Sequence, residues 1–374
     1  MNLVLTNNYP SSENLYSNMF VHRRVINYVE NGINVDVFVL PHIKDKKEYF
    51  FEGIKVLCGN KEQLKVIINS GKYSTILIHF IIPEMIDVFE QAKLKPKLII
   101  WFHGAEALSE WRRYFNYNLL NPRDAIRLLL TTYHSNCNLK KLRTFLGENS
   151  SRIKAIAVSE WMKQIVLSDV RCINLEWHII PNVIDEKQFV FSEKKPEQRY
   201  KILTIRPFTT RKYANDLTIN VIQRLSSTEV FEKLDIMIVG DGPLFNTLTS
   251  KVRKYGNVKI LQGFLDQKEI YTLHKEYGIF LCPTRQDAQG VSMCEAMSSG
   301  LVPVTTNCSA IPEFVPIEGG MLCENAATMT KAIISLIEKP ELFSKMSRSA
   351  AEFARGKCSI TNTIAREIAV IKST

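Results

Sequence analysis

The stretch from Thr284 to Thr305, TRQDAQGVSMCEAMSSGLVPVT, holds the residue types best suited to chemistry. Asp287 and Glu295 lie on either side of Gly290, and the loop runs into a short helix closed by Gly300. A turn of this kind leaves backbone N–H groups and the positive end of a helix facing an anion. A phosphate fits such a place. Glu295 would then accept hydrogen bonds from a ribose diol and Asp287 from the hydroxyls of a sugar. Upstream, RPFTTRK sets Arg206 and Lys212 at the two ends of a short loop. Breaking a bond to a nucleoside diphosphate leaves negative charge on the departing group, which a metal or fixed cations must stabilise. The sequence has no D-x-D pair and no His/Asp/Glu cluster at metal-ligand spacing. The expected stabilisers are therefore Arg206, which can bind in a bidentate way, Lys212 as a point charge, and the helix start at Gly290 to Ser292, with no metal and no cofactor.

These residues need strands to present them. Short β-branched runs alternate with helix-length segments from the start: Asn2 to Leu5, Asn34 to Leu40, Ile54 to Leu57, Thr75 to Phe80, Leu98 to Phe102, Ile153 to Val158 and Trp177 to Ile180. A second series follows at Lys201 to Ile205, Leu234 to Val239, Val258 to Leu261, Ile279 to Cys282 and Val302 to Thr305. Such alternation predicts right-handed βαβ units and parallel sheets. At 374 residues the chain exceeds what one core usually supports. The expectation is two Rossmann-like α/β domains, residues 1–192 and 193–355, with the polar stretch at Glu193 to Arg199 as their boundary. A C-terminal helix over 356–374 is expected to pack back toward the first domain.

The strand ends supply further candidates. Strand Leu98 to Phe102 delivers His103 and Gly104 at its carboxyl edge, where parallel sheets hold ligands. VGDGP, Val239 to Pro243, makes a tight turn carrying Gly242. The helix after the first strand carries His22, Arg23 and Arg24, read as a solvated face.

Composition bounds the partners. Hydrophobic residues at 45% and charged residues at 23% are those of a globular protein. No basic leader and no apolar run of roughly 20 residues is present, which points to the cytoplasm. The eight cysteines show no C-x-x-C pair and read as reduced, mostly buried thiols. The net charge is +10, and the segment from Trp111 to Lys154 holds nine basic residues against two acidic ones. Its helix can lie on an anionic membrane surface, peripheral on the inner face of the cell membrane, or pack on the sheet with its charges in water. Both readings stand at this point. Nucleic acid is not an expected partner, since the charge lacks a recognised nucleic-acid fold.

The run D-x-x-G-x-x-x-x-EAM-x-x-G-x-x-P resembles the E-x7-E signature of retaining, two-Rossmann-domain (GT-B) glycosyltransferases of family 4. The resemblance extends over nearly the whole chain, through HG at His103, IAVSEWM at Ile156 to Met162, IPNVID at Ile180 to Asp185, VGDGP, QGFL at Gln262 to Leu265, PT at Pro283 and IPEFV at Ile311 to Val315. It implies two domains facing across a cleft and a nucleotide-sugar donor held mainly by the second. Arg206 and Lys212 would meet the diphosphate, Glu295 the ribose, and Asp287 with the Gly290 loop the sugar. Gly263, Phe264, Leu265 and Thr284 would line the base, and His103 would face the sugar. Gly242, Gln289, Val291 and Ser292 complete the donor-binding set.

By the same resemblance, transfer would retain configuration without metal. The leaving phosphate would take the acceptor's proton. The implied function is sugar transfer to a glycan or lipid-linked acceptor in cell-surface polysaccharide biosynthesis (lipopolysaccharide, capsule or exopolysaccharide). The alternative is a catalytically weak homologue that binds a nucleotide sugar or glycan as a sensor or scaffold. Two departures stand out. Asp287 replaces the family's usual Glu, and the first loop offers Ser11, Ser12, Glu13, Asn14 and Tyr16 in place of a glycine pair.

Overall fold

A computed structural model of the chain describes residues 1–12, 14, 17–40, 47–172 and 174–374, with Lys47 in its backbone alone. Glu13 and Tyr16 of the first loop lie outside the described residues. The chain divides into two units. The first comprises Met1–Tyr114, Leu119–Val183 and Thr361–Thr374, and the second comprises Phe115–Asn118 and Ile184–Ile360. The polar stretch at Glu193 to Arg199, the boundary expected from sequence, lies inside the second unit.

The first unit is built on eight strands: β1 (Asn2–Thr6), β2 (Val35–Val39), β3 (Lys47–Phe51), β4 (Ile54–Cys58), β5 (Thr75–His79), β6 (Lys97–Phe102), β7 (Ile153–Ala157) and β8 (Glu176–Ile179). They lie in the order β3-β4-β2-β1-β5-β6-β7-β8. All pairs are parallel except β3 with β4. Ile76 to Ile78 and Leu98 to Phe102 are wholly buried, as expected of strands covered on both faces. Helices α1 (Met19–Glu30), α2 (Lys61–Asn69), α3 (Pro83–Gln91), α4 (Pro122–Glu148) and α5 (Glu160–Ile165) make the connections. The seven strands expected here form within one or two residues of their predicted ends. β3 is additional: Glu52 and Gly53, both at positive φ, turn it back antiparallel onto β4.

The second unit carries β9 (Lys201–Ile205), β10 (Asp235–Gly240), β11 (Val258–Gln262), β12 (Ile279–Leu281), β13 (Val302–Thr306) and β14 (Met321–Cys323). Their order is β11-β10-β9-β12-β13-β14, parallel throughout. Helices α6 (Asn215–Leu225), α7 (Phe245–Thr249), α8 (Gln267–Glu276), α9 (Val291–Ser298), α10 (Ala326–Glu338) and α11 (Pro340–Cys358) cover the sheet. Its core joins Ile236, Ile238, Ile279 and Leu281 from the strands to Ile219, Ile222, Ile333 and Leu336 from the helices. In both sheets the strand order reverses beside the first strand, between β1 and β5 and between β9 and β12. Ligands of open α/β sheets bind outside the carboxyl ends at that reversal.

The final helix, α12 (Ile360–Lys372), belongs to the first unit from Thr361 onward. It also corrects the reading of α1. His22 and Arg24, expected in water, are wholly buried, because Glu367 from α12 and Glu52 from the hairpin turn reach them.

Candidate functional site

In the second unit, β9 ends at Ile205 and hands Arg206 to the sheet's carboxyl edge. Arg206 is buried, with Nη1 donating to Ser292 Oγ at 3.1 Å and Nη2 to the Pro283 carbonyl at 3.4 Å. Its Nε is shielded from water and has no hydrogen-bond partner among the described residues. A buried guanidinium with an unused donor costs stability unless a ligand completes it. The guanidinium and the Lys212 ammonium both lie against the ring of Tyr213, at 5.3 and 5.4 Å from its centroid. The strand edge thus gathers the two cations around one aromatic side chain.

The loop bearing Lys212 is latched to the strand end after β12. The Lys212 carbonyl accepts from Arg285 N–H at 2.8 Å and from Thr284 Oγ1 at 3.1 Å. Arg285 in turn forks onto both oxygens of Asp216, at 2.8 and 2.6 Å. Thr284 is itself fixed, its N–H bonding to Thr306 Oγ1 on β13. The buried Thr284 therefore positions Lys212.

The Gly290 turn forms as its sequence requires. Gly290 sits at φ +79°, a left-handed conformation, and caps α9. Asp287 Oδ1 accepts the N–H groups of Gln289, at 3.2 Å, and Gly290, at 2.9 Å. This closure uses one carboxylate oxygen and suits the short side chain of Asp. The Asp found where Glu is usual thus has a local role that the sequence reading did not assign to it. Gln289 is buried, with Nε2 near Cys358 Sγ at 3.7 Å, while Val291 and Ser292 begin α9 half-buried.

One turn on, Glu295 is half-buried, and its carboxylate makes no hydrogen bond or ion pair among the described residues. Burial first, and then the charge of Asp185, push its carboxyl from 4.5 up to about 8. Asp185 comes from the IPNVID motif and is held by the N–H groups of Lys187 and Gln188. Asp185, not among the site residues expected from sequence, thus acts on Glu295 through its charge.

Gly242, at φ +138°, lets the turn after β10 lie directly on Phe208. A Cβ there would stand 2.5 Å from the Phe208 carbonyl carbon. Gly263 is tied to Gly240 by an N–H bond of 3.0 Å; Leu265 is half-buried and Phe264 is 65% exposed. Arg206 thus bonds to Ser292 and meets Lys212 through the Tyr213 ring, Lys212 bonds to Thr284 through its carbonyl, and Asp287 and Gly290 form the turn that leads to Ser292.

His103 belongs to the first unit. Its Nε2 and His79 Nδ1 are 3.0 Å apart, and its ring is flanked by Phe20 and Phe80 at 5.0 and 4.7 Å. Burial and then the charge of Arg24 hold its pKa well below the usual histidine value, so the ring is neutral. The His103 and Gly104 N–H groups both bond to Glu106. Nearby, Phe80, Ile82, Glu106, Arg113, Thr131 and His134 are among the residues lining a cavity of about 430 Å³ within the first unit.

The family model for group 1 glycosyl transferases matches residues 185–353. Among curated proteins, the GPI3 subunit of phosphatidylinositol N-acetylglucosaminyltransferase from Saccharomyces cerevisiae (strain YJM789) is 26% identical over 199 residues, which cover 50% of this chain and 43% of that protein. The gpi3 subunit of the same enzyme from Schizosaccharomyces pombe is 28% identical over 144 residues, 37% of this chain and 30% of that one. The chain therefore matches less than half the length of these relatives.

Solved structures align along the whole chain. A glycosyltransferase from Rickettsia africae ESF-5 has a TM-score of 0.69 at 13% identity, covering 100% of this chain and 98% of that one. Sucrose-phosphate synthase from Thermosynechococcus elongatus has 0.73 at 12%, with the same coverage. Anabaena Alr3699/HepE in complex with UDP-glucose has 0.68 at 14%, covering 100% of both chains. At these identities the likeness shows the fold, which is GT-B: two parallel-sheet α/β units. Among the described residues, no helix is long and apolar enough to cross a membrane, and no group of three or more His, Cys, Asp or Glu side chains is placed to hold a metal ion.

Proposed function

We propose that this chain is a retaining glycosyltransferase that moves a sugar from a nucleoside-diphosphate sugar to a hydroxyl of a glycan or lipid-linked acceptor. The observation that carries the reading is Arg206, buried beside the start of α9 with its Nε unpartnered among the described residues. Such a group answers to an anion, and a diphosphate placed there would also meet Lys212 and the first N–H groups of α9. As the sugar departs, charge grows on the distal phosphate, and these fixed donors meet it without reorganising. The glycosyl transferase model matched over 185–353 spans this same set of residues.

Glu295 is proposed to accept from the ribose diol, and Asp287, through the oxygen not spent on the turn, from a hydroxyl of the sugar. The segment Gly263 to Leu265 and Thr284 would flank the base. Uridine is the proposed base, since the Anabaena protein is similar in fold and its structure holds UDP-glucose. Neutral His103 would bond to a substrate hydroxyl through a ring nitrogen. A lipid-borne acceptor is favoured by the phosphatidylinositol-directed relatives. Assembly of a cell-surface polysaccharide on such a carrier is the proposed setting.

The test is a thermal-shift panel of UDP-, GDP- and dTDP-sugars, followed by assay of the stabilising donor for hydrolysis and transfer. Selective stabilisation by one nucleotide, lost in Arg206→Ala and Lys212→Ala, is the expected result. No stabilisation by any nucleotide would overturn the site. Stabilisation with no turnover on any acceptor or water would make the protein a nucleotide-sugar sensor.

A further inference from the structure

Lys212 carries one of the two cations of the donor site, and its own turn does little to hold it. That turn is a single 3-10 turn, Arg211–Tyr213, closed by the buried Ala214 at φ +47°. Left-handed backbone is costly for a residue with a Cβ, so the turn needs support from outside itself. The Lys212 ammonium lies against the Tyr213 ring and makes no hydrogen bond or ion pair among the described residues. Whatever fixes this cation must therefore act on its backbone.

Arg285 does so at two successive carbonyls. Its N–H donates to the Lys212 carbonyl at 2.8 Å, and its Nη1 to the Arg211 carbonyl at 2.7 Å. The Arg211 carbonyl is also the one that the Ala214 N–H closes onto, at 3.1 Å. The guanidinium is anchored in turn on Asp216, in the first turn of α6, with Nη1 at 2.8 Å from Oδ1 and Nη2 at 2.6 Å from Oδ2. One side chain thus ties the strand end after β12, the Lys212 turn and the start of α6 together.

An arginine this close to Lys212 is also of the right type to meet a phosphate directly. Its bonds favour the other role, because the fork is spent on Asp216 and the charge is matched there. Asp216 gives the two roles opposite signs. A carboxylate that merely stood near an anion site would oppose the anion, and removing it would free Arg285 and tighten binding. A carboxylate that anchors the turn would loosen Lys212 when removed and weaken binding.

We propose that Arg285, anchored by Asp216, is a positioning residue that holds the Lys212 turn so that its ammonium stays beside Arg206, where a diphosphate bridges the two. The role rests on the nucleotide-sugar reading of the site and adds to it a pair that touches no substrate. Neither residue stands among those expected from sequence.

The test is calorimetry of UDP binding to Arg285→Ala and Asp216→Ala, each also made in a Lys212→Ala background, with amide hydrogen exchange over residues 211–216. Both side chains are partly in water, so the variants should keep the wild-type circular dichroism. Each is expected to weaken UDP about tenfold when Lys212 is present and less than about twofold when it is absent. Exchange over 211–216 should quicken in both while the strands of the second unit keep their wild-type rates. Wild-type or tighter affinity in Asp216→Ala would overturn the proposal, as would an equal loss with and without Lys212 or unchanged exchange of the turn. A wild type with no affinity for any nucleotide would take down the donor reading and this role with it. A wild type that binds UDP no better than the variants would sink this role alone and leave the donor site standing.

Discussion

Arg24 Nε donates to Glu367 Oε1 at 2.9 Å, and neither side chain is exposed. The pair joins α1 to α12 across most of the chain length, inside one unit. Arg24 also donates to Asn182 Oδ1 at 3.1 Å, while Tyr28 and Trp101 donate to Glu367 at 2.5 and 3.3 Å. Two buried charges are tolerated here because each is met by several hydrogen bonds. The same cation contributes to keeping His79 and His103 uncharged.

Removing one partner should therefore cost more than removing both. Glu367→Ala leaves Arg24 uncompensated and should destabilise the first unit by about 3–5 kcal/mol. Arg24→Met combined with Glu367→Leu should recover most of that loss. All four tryptophans, Trp101, Trp111, Trp161 and Trp177, belong to this unit, so urea unfolding followed by tryptophan fluorescence reads it selectively. In Arg24→Met alone, the His79 and His103 titrations should move upward, which NMR of the histidine ring protons would detect.

The network was not legible in the sequence for a physical reason. Periodicity showed α1 as a helix, but a buried arginine and a solvated one have the same helical spacing, and the carboxylate that admits Arg24 to the core lies 343 residues away. The parallel strands were legible because strands buried on both faces are continuous apolar runs. β3, KEYFF, is edge-bound and charged, and its turn uses Glu52–Gly53 where Asn-Gly is the usual signal. β14 is three residues long, too short for any period to show. At the candidate site, Arg206, Lys212, Gly290 and Glu295 stood out by type and spacing. Tyr213, Ser292's bond to Arg206 and the Asp185 charge on Glu295 depend on how separate strand ends converge.

Asp287 separates two roles that one substitution alone would confuse. Its Oδ1 closes the Gly290 turn, and an Asn in its place offers the same acceptor without charge. Asp287→Asn should keep thermal stability and nucleotide binding near wild type while slowing sugar transfer. Asp287→Ala leaves the Gln289 and Gly290 N–H groups unpaired and should cost about 1 kcal/mol or more as well as weakening nucleotide binding. Equal nucleotide affinity in the Ala variant and wild type would show that the turn does not depend on this side chain. Undiminished transfer in the Asn variant would remove its charge from the reaction.

Glu295 gives the pH dependence a definite sign. Its carboxyl is raised from 4.5 to about 8 in the folded protein by burial and by Asp185. Below the lower value, folded and unfolded chains both hold the proton and the group contributes nothing. As pH rises from 4.5 to about 8, the unfolded chain releases the proton while the folded one keeps it, so folding loses stability across that window. Glu295→Gln lacks the titration. The wild type should therefore fall relative to this variant as pH rises through the window, by an amount on the order of a few kcal/mol at its upper end. Asp185→Asn removes one source of the shift and should narrow the window from above. A ribose diol that donates to the carboxylate favours its ionised form. UDP affinity, measured by calorimetry, should accordingly strengthen from pH 6 toward about 8 in the wild type beyond any change seen in Glu295→Gln. A constant difference in stability between the two proteins across pH 5 to 8 would show that the carboxyl is ionised throughout, at about its ordinary pKa.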